Sequence, residues 1–298
     1  MEAIRLFFAE LANSGILPEF FAYGFVVNSL IAALLIGPVL GGVGTMVVIK
    51  KMAFFSESIG HAAIAGISIG ILLGEPYHSP YIMLFSYCII FGLVINYTRN
   101  RTKMGTDTLI GIFLSISIAL GAILLIYISS KVNSHMLETV LFGSILTVSD
   151  MDLLVLLITN IILIILIMFW NNKILLSSFN KNIAIVKNVK VVFLEYVFIL
   201  IITIITVASV KIIGAALVEA LFLIPAASSK NIAKSMKGFV SYSVFFSTIS
   251  CILGIIVPLL FSLSLPSGPA IILVSATIFF ITVLIKNIAK KYIDGGIN

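Results

Sequence analysis

Apolar residues occur along this chain in long runs, separated by short segments that carry most of the charged residues. A helix needs about 20 predominantly apolar residues to cross the hydrocarbon core of a bilayer. Runs of this kind recur between residues 20 and 286. The pattern therefore predicts an all-α, polytopic helical membrane protein with eight or nine transmembrane helices. No series of alternating segments indicates a membrane β-barrel.

The predicted spans follow one another without a soluble domain between them, so we expect residues 1–298 to form one membrane domain. Residues 1–19 predict an amphipathic segment that lies on the membrane surface. The number of spans is eight or nine because one segment is short and follows its predecessor almost without a break. The spans are predicted at 20–49, at the helix that carries Glu57 and His61, and at 81–97, 108–128, 153–170, 191–210, 212–227, 239–261 and 270–285.

Glycine, proline and acidic residues mark expected helix breaks and starts. Gly37 and Pro38 lie within the first long run, where we expect them to break the helix. Asp107 opens a later span, where a carboxylate caps free amides and matches the positive end of the helix dipole. Ser149, with the aspartates that follow it, predicts a similar cap before the span at 153–170.

Composition and charge fix the environment. The chain is 61% hydrophobic and 10% charged, whereas soluble domains are about 45–50% apolar and about 25% charged. The net charge of +6 comes from lysines and arginines in clusters between the apolar runs. Such clusters are typical of cytoplasmic loops that face anionic lipid, so they do not indicate a nucleic-acid partner. With nine spans, these clusters would place the N-terminus outside the cell. The two cysteines, Cys88 and Cys251, lie in apolar runs, which does not suit a disulfide framework.

Glu57 and His61 are the strongest candidates for chemistry. They lie four residues apart in an apolar, small-residue-rich helix, so their side chains share one face. Ionisable groups inside the membrane are costly and are usually functional. A carboxylate and an imidazole suit a divalent metal such as zinc or manganese, but two ligands need others from another helix, from solvent or from a second subunit. The alternative is a polar pair that satisfies itself and only holds helices together.

Three further ionisable residues are weaker candidates. Glu219 lies within an apolar run and has two interpretations. It is either a further oxygen ligand, or a gate, on an ion path shared with Glu57 and His61. Alternatively, it is a helix-end residue whose carboxylate reaches lipid headgroups or a backbone amide. His78 and His135 fall in loops predicted to lie outside. For both histidines an ordinary solvated loop position is favoured over a role as metal ligand.

The segment after Pro225 is a candidate contact surface for a cytoplasmic partner protein. Residues 228–237 read as a short, basic amphipathic helix between two spans, and its polar residues are Ser228, Lys230, Lys234 and Lys237 among others. Such a helix either lies on the membrane or docks into a groove on a cytoplasmic protein. The chain has no G-x-x-x-x-G-K-[ST] motif. If the protein is driven by ATP, hydrolysis therefore occurs on another polypeptide.

Five sequence blocks resemble the membrane permease subunits of ABC importers for zinc and manganese. They occur in the family's order and extend over about residues 37–285. Glu57 stands where the family commonly has aspartate, and Ser144 replaces another common aspartate, so no function is carried to Ser144. The blocks are KKMAFFSESIGHAAIAG, DTLIGI at 107–112, VLFGSIL at 140–146, LFLIPAASS at 221–229 and SGP at 267–269.

The resemblance implies a transport subunit and not an enzyme. It implies a multi-pass protein of a bacterial-type cell membrane that pairs with a second copy of itself. Two cytoplasmic ABC ATPase subunits would dock on it, and an extracytoplasmic metal-binding protein would deliver the ion. No cofactor would be bound permanently. The transported metal would be zinc, with manganese second, although these ligand types do not exclude ferrous iron.

Two functions from other classes remain. An ion-coupled secondary transporter would need no ATPase. A membrane-embedded, metal-dependent enzyme would need further ligands and a general base near His61, and Glu219 is the only candidate for that extra chemistry. No H-E-x-x-H motif occurs in the sequence to support such an enzyme.

Overall fold

The structure is a computed structural model that describes residues 2–76, 80–102, 104–129, 145–261 and 265–295. The described residues form helices and contain no strand. Short 3₁₀ turns occur at Glu19–Ala22 and Ile145–Thr147. The helices are α1 (Glu2–Asn13), α2 (Gly24–Ile49), α3 (Phe55–Leu72), α4 (Tyr81–Arg101), α5 (Thr106–Ser129), α6 (Asp150–Phe179), α7 (Lys181–Val186), α8 (Val191–Ile213), α9 (Ala215–Ile232), α10 (Met236–Leu260) and α11 (Ser267–Gly295).

Nine helices in the described part of the chain are long and apolar enough to cross a membrane. They are α2 to α6 and α8 to α11, so the all-α, polytopic prediction is confirmed and the larger of the two span numbers applies. The two spans that the sequence left almost joined are α8 and α9. They are separated by Gly214 alone, whose φ of +80° lies in the left-handed region that favours glycine.

The chain divides into two compact units. The first unit comprises Met1–Thr45, Ser144–Leu157 and Ala220–Asn298, and the second comprises Met46–Gly143 and Ile158–Glu219. The single membrane domain expected from the sequence stays a prediction.

In the first unit, α2 packs closely against α9 and α10 through glycines. A Cβ on Gly41 would lie 2.7 Å from the carbonyl oxygen of Ser243, and one on Gly44 would collide with the carbonyl oxygen of Phe222. The Ser243 hydroxyl donates a hydrogen bond of 2.6 Å to the carbonyl oxygen of Gly41. The expected break at Gly37 and Pro38 is wrong, because α2 continues through Pro38. The glycines instead allow the helix backbones to approach one another.

Polar contacts of the same unit tie the start of α6 to α1 and α2. Arg5 of α1 forms an ion pair with Asp150, and its Nε donates a hydrogen bond of 3.0 Å to Oδ1 of Asn28. The Ser149 backbone and hydroxyl both donate to Asp152 Oδ2, and the Asp152 backbone amide donates to Ser149 Oγ at 3.2 Å. These reciprocal bonds form a capping box, which confirms the predicted cap at Ser149.

In the second unit, α3 is surrounded by α4, α5 and α8. Close approach again depends on small residues: a Cβ on Gly66 would lie 3.2 Å from Leu84 Cα. Near the other end of α4, Arg99 lies 3.4 Å from a carboxylate oxygen of Glu195 and 3.2 Å from Met52 Sδ. Asp107 lies in the first turn of α5, where its charge matches the helix dipole.

The separate amphipathic helix expected at 228–237 is also wrong. Helix α9 continues through Pro225 to Ile232, and α10 begins at Met236. Transmembrane helices tolerate an internal proline where neighbouring groups satisfy the freed carbonyl. Near the end of α9, Ser229 connects this helix to α10, because its hydroxyl donates a hydrogen bond of 2.6 Å to the carbonyl oxygen of Phe239.

The glycine packing of α2 predicts a sharp difference between adjacent positions. In Gly41→Ala, the new methyl group would meet the Ser243 carbonyl oxygen and would lie 2.8 Å from Ser247 Cβ. We expect this overpacking to cost about 1–3 kcal/mol of stability. In the control Gly42→Ala, the methyl group meets Val244 Cγ2 at an ordinary 3.6 Å. Thermal unfolding of the detergent-purified variants measures both effects, and equal melting temperatures would contradict the packing.

Candidate metal centre on helix α3

Helix α3 exposes two side chains in its first three turns. From Phe55 to Ala65 every residue is buried except Glu57 and His61, which are both half-buried. Their side chains interact electrostatically across one helical turn. The face that remains accessible on this part of α3 is therefore the face that carries the carboxylate and the imidazole.

The local sequence explains this arrangement. The residues around the pair are mainly small (Ser56, Ser58, Gly60, Ala62 and Ala63), so neighbouring helices can cover every other face of α3. Lys51 adopts a left-handed conformation with φ of +53° just before the helix begins. The helix begins at Phe55, so Glu57 lies in its first turn, where a negative charge is favoured by the helix dipole.

Gly60 brings α9 against α3 between the two polar residues. A Cβ on Gly60 would lie 2.8 Å from the Cβ of Ala215, the first residue of α9. Glu219 follows one turn later and lies close enough to Glu57 for the two carboxylates to interact electrostatically. The structure thus brings Glu219 towards the pair, which sequence spacing alone could not do.

Glu219 lies on the incompletely buried face of α9. This face continues at Ala216, Ala220, Leu223 and Ala227, whose spacing of three or four residues follows the helical repeat. Most of these side chains are small, so the face leaves room beside the carboxylate.

The three ionisable side chains do not form a complete metal site. Within the described residues, no group of three or more His, Cys, Asp or Glu side chains is arranged to hold a metal ion. Glu57 and His61 offer one oxygen and one nitrogen of the kinds that bind divalent metals, and Glu219 places a second carboxyl group nearby. Such an arrangement suits an ion that binds transiently better than one that is held permanently.

The predicted partner-binding residues have different environments. Lys230 lies in the last turn of α9, Lys234 in the segment between α9 and α10, and Lys237 in the first turn of α10, and all three are exposed. Ser228 is fully buried, and its hydroxyl donates a hydrogen bond of 2.8 Å to the carbonyl oxygen of Ile224. Ser228 therefore stabilises α9 and offers no surface to a partner. His78, His135 and Ser144 lie outside the described residues.

Sequence analysis missed a row of buried hydroxyl groups on α8. Thr203, Thr206 and Ser209 are fully buried, and their hydroxyl oxygens have no hydrogen-bond partner among the described residues. Ser58 of α3 is in the same condition. Unpaired buried hydroxyls are costly. Their regular spacing of three residues in an otherwise apolar helix was the signal that could have revealed them.

Known proteins share this fold and sequence pattern. The sequence profile described as "ABC 3 transport family" matches residues 22–286. The manganese import system permease protein ScaB of Streptococcus gordonii is 30% identical over 263 residues, which cover 88% of this chain and 92% of that protein. The high-affinity zinc uptake system membrane protein ZnuB of Buchnera aphidicola is 28% identical over 257 residues, which cover 86% of this chain and 96% of that protein.

A solved structure resembles the chain as well. A chain of PsaBC from Streptococcus pneumoniae, determined in complex with Fab, superimposes with a TM-score of 0.75 at 28% sequence identity. The match covers 87% of this chain and 91% of that chain.

The contact between α3 and α9 predicts a compensating pair of substitutions. Gly60→Ala would place a methyl group 2.8 Å from the Cβ of Ala215, so we expect a lower melting temperature. Adding Ala215→Gly removes that Cβ and leaves the Cα of residue 215 as the nearest atom, at an ordinary separation of 3.5 Å. We therefore expect the double variant to recover part of the loss in a thermal unfolding assay. On α5, Gly111→Ala serves as the control, because nothing lies within 4 Å of its Cβ position. The contact would be contradicted if the double variant lost as much melting temperature as the two single variants lose together, or more.

Proposed function

The chain belongs to the ABC 3 transport family, and we propose that it is the permease subunit of an ATP-driven importer of divalent metal ions. In this proposal the ion crosses the cell membrane past Glu57 and His61. One observation carries the proposal: these two ligand-type side chains are the only residues of the first three turns of α3 that are not buried. The ion is cargo, so the protein needs no resident metal and catalyses no reaction itself.

The proposed ion is zinc or manganese. An imidazole beside a carboxylate suits zinc, and this chemistry made zinc the first expectation from the sequence. The relatives support both metals, since the manganese protein is 30% identical and the zinc protein is 28% identical. A difference of this size does not select between them. The chemical type of the ligands discriminates only weakly between zinc and manganese, so selectivity would depend on the protein that delivers the ion.

The proposed mechanism uses an incomplete coordination shell. Glu57 supplies oxygen and His61 supplies nitrogen, which together replace part of the hydration shell of the ion. Glu219 makes the local potential more negative and so favours a cation at this position. Because the remaining ligands come from solvent or from a second copy of the chain, the ion is bound weakly enough to leave.

The energy would come from other subunits. The sequence contains no P-loop motif, so ATP binding and hydrolysis belong to separate cytoplasmic ATPase chains. Lys230, Lys234 and Lys237 are exposed where α9 turns into α10, and we assign the ATPase contact to this basic junction. An extracytoplasmic binding protein would deliver the ion on the other side, and switching between outward-open and inward-open states would move it across.

The proposed metal pair can be tested by substitution in cells that express the complete transporter. We expect Glu57→Gln and His61→Gln each to reduce zinc or manganese uptake by about tenfold or more, since even outer-shell partners of a metal site carry about 10–100-fold in affinity. Glu219→Gln should reduce uptake less, because this carboxylate acts through its charge.

Controls separate this result from a folding defect. Glu10→Gln, on the exposed surface of α1, provides the same chemical change away from α3 and should leave uptake unchanged. All variants should retain the amount of protein in the membrane and the co-purification of the ATPase. Normal uptake by Glu57→Gln and His61→Gln would mean that the pair is structural.

A further inference from the structure

A basic cavity lies beside α6, α7 and α8, within the second unit. Its volume is about 350 Å³. It is lined by Trp170, Lys173, Lys187, Asn188, Lys190 and Phe193 among others. The ion path proposed above uses none of these residues.

We propose that this cavity binds the phosphate headgroup of an anionic phospholipid from the cytoplasmic leaflet. The proposal goes beyond transport and does not depend on which ion is carried.

The position of the cavity points to a lipid. The apolar span of α6 ends at Trp170, and the apolar span of α8 begins at Val191. The cavity is lined by residues at and just beyond these two ends, which is the level where headgroups lie. Trp170 and Phe193 meet edge to face with ring centroids 6.1 Å apart. Tryptophan is enriched at the boundary between membrane and water, so Trp170 supports this level.

The charge of the cavity points to an anion. Lys173, Lys187 and Lys190 are exposed, the first on α6 and the other two in the turn between α7 and α8. Within the described residues, the two ion pairs are Arg5 with Asp150 and Arg99 with Glu195, so none of these lysines has a carboxylate partner. By the positive-inside rule these lysines face the cytoplasm, where the leaflet is anionic.

The backbone between α7 and α8 holds two of the lysines in place. Asn188 adopts a left-handed conformation with φ of +55°, which asparagine tolerates better than most residues. The amide of Asn188 donates a hydrogen bond of 2.9 Å to the carbonyl oxygen of Ile185, and the amide of Val189 donates one of 3.0 Å to that of Ala184. This closed turn places Lys187 and Lys190 on the same cavity.

Apolar surface next to the cavity can receive the acyl chains. Phe193 is 51% exposed, and Met168 and Phe169, just before Trp170, are 84% and 74% exposed. A headgroup held by the lysines would therefore leave its hydrocarbon chains against apolar side chains. A free anion would not use this surface.

Trp170 makes the test direct, because it is the only tryptophan in the chain. The full-length protein is reconstituted in phosphatidylcholine bilayers that contain a small fraction of phosphatidylglycerol. Bromine atoms, which quench tryptophan fluorescence on contact, are placed on the acyl chains of either lipid in separate samples. At equal mole fractions of labelled lipid, we expect brominated phosphatidylglycerol to quench Trp170 more strongly than brominated phosphatidylcholine.

Matched charge variants test the role of the lysines. Lys173→Gln/Lys187→Gln/Lys190→Gln should abolish the preference for phosphatidylglycerol, and Lys173→Gln alone should reduce it by about fivefold or less, the effect of one lysine near an anionic surface. Lys230→Gln/Lys234→Gln/Lys237→Gln removes the same charge from exposed lysines at the α9–α10 junction and should retain the preference. The unbrominated emission spectrum and the melting temperature verify that each variant is folded.

Three results would overturn the proposal. Equal quenching by the two brominated lipids would show that the cavity does not select an anionic headgroup. Equal loss in the two triple variants would show general surface attraction in place of a site. Loss of the preference on addition of millimolar inorganic phosphate, at constant ionic strength, would assign the cavity to a free anion.

Discussion

The close packing of α3 is the constraint on which the candidate site depends. A helix in a membrane gains little from hydrophobic burial against its neighbours, so association relies on backbones that approach closely. Gly60 and Gly66 permit that approach on α3, with Ala215 and Leu84 as the facing residues. Once these neighbours are in place, Glu57 and His61 are left as the accessible polar groups of the first three turns. Packing and chemistry are thus specified by the same short segment.

The same physics explains both corrections to the expected helix boundaries. A break was expected at Pro38, and a new helix was expected to begin shortly after Pro225, yet each proline lies inside a continuous helix. In water a proline exposes an unsatisfied carbonyl and ends a helix easily, whereas in a bundle the surrounding groups compensate for it. Gly214, in contrast, does end a helix, because its left-handed backbone conformation cannot continue the α-helical path.

The polar residues of the chain separate into those that hold the fold and those left for function. Arg5, Asp150 and Ser149 are used in ion pairs and caps at the start of α6. Ser228 and Ser243 are used in backbone contacts of α9, α10 and α2. Glu57 and His61 are half-exposed and interact with each other, and the lysines around Trp170 have no described carboxylate partner. Ligand binding is assigned to the groups that the fold itself does not require.

The sequence by itself determined the membrane environment, the fold class and the pairing of Glu57 with His61 on one helix face. Long apolar runs admit only spanning helices, and residues four apart share a helix face wherever that helix lies. The capping box at Ser149 was equally readable, because it involves residues three apart in one segment. These features depend on local spacing, which does not change when the chain folds.

Only the tertiary structure decided which distant residues meet. Glu219 is more than 150 residues from Glu57, and the two approach because Gly60 lets α9 pack against α3. The burial of Ser228, which removed it from the predicted partner surface, likewise follows from the packing of α9. The basic cavity combines side chains from α6, the turn after α7 and the start of α8. The pattern of residues within one segment does not reveal these contacts between distant residues. They depend on how helices pack and on where small residues let the helix backbones approach.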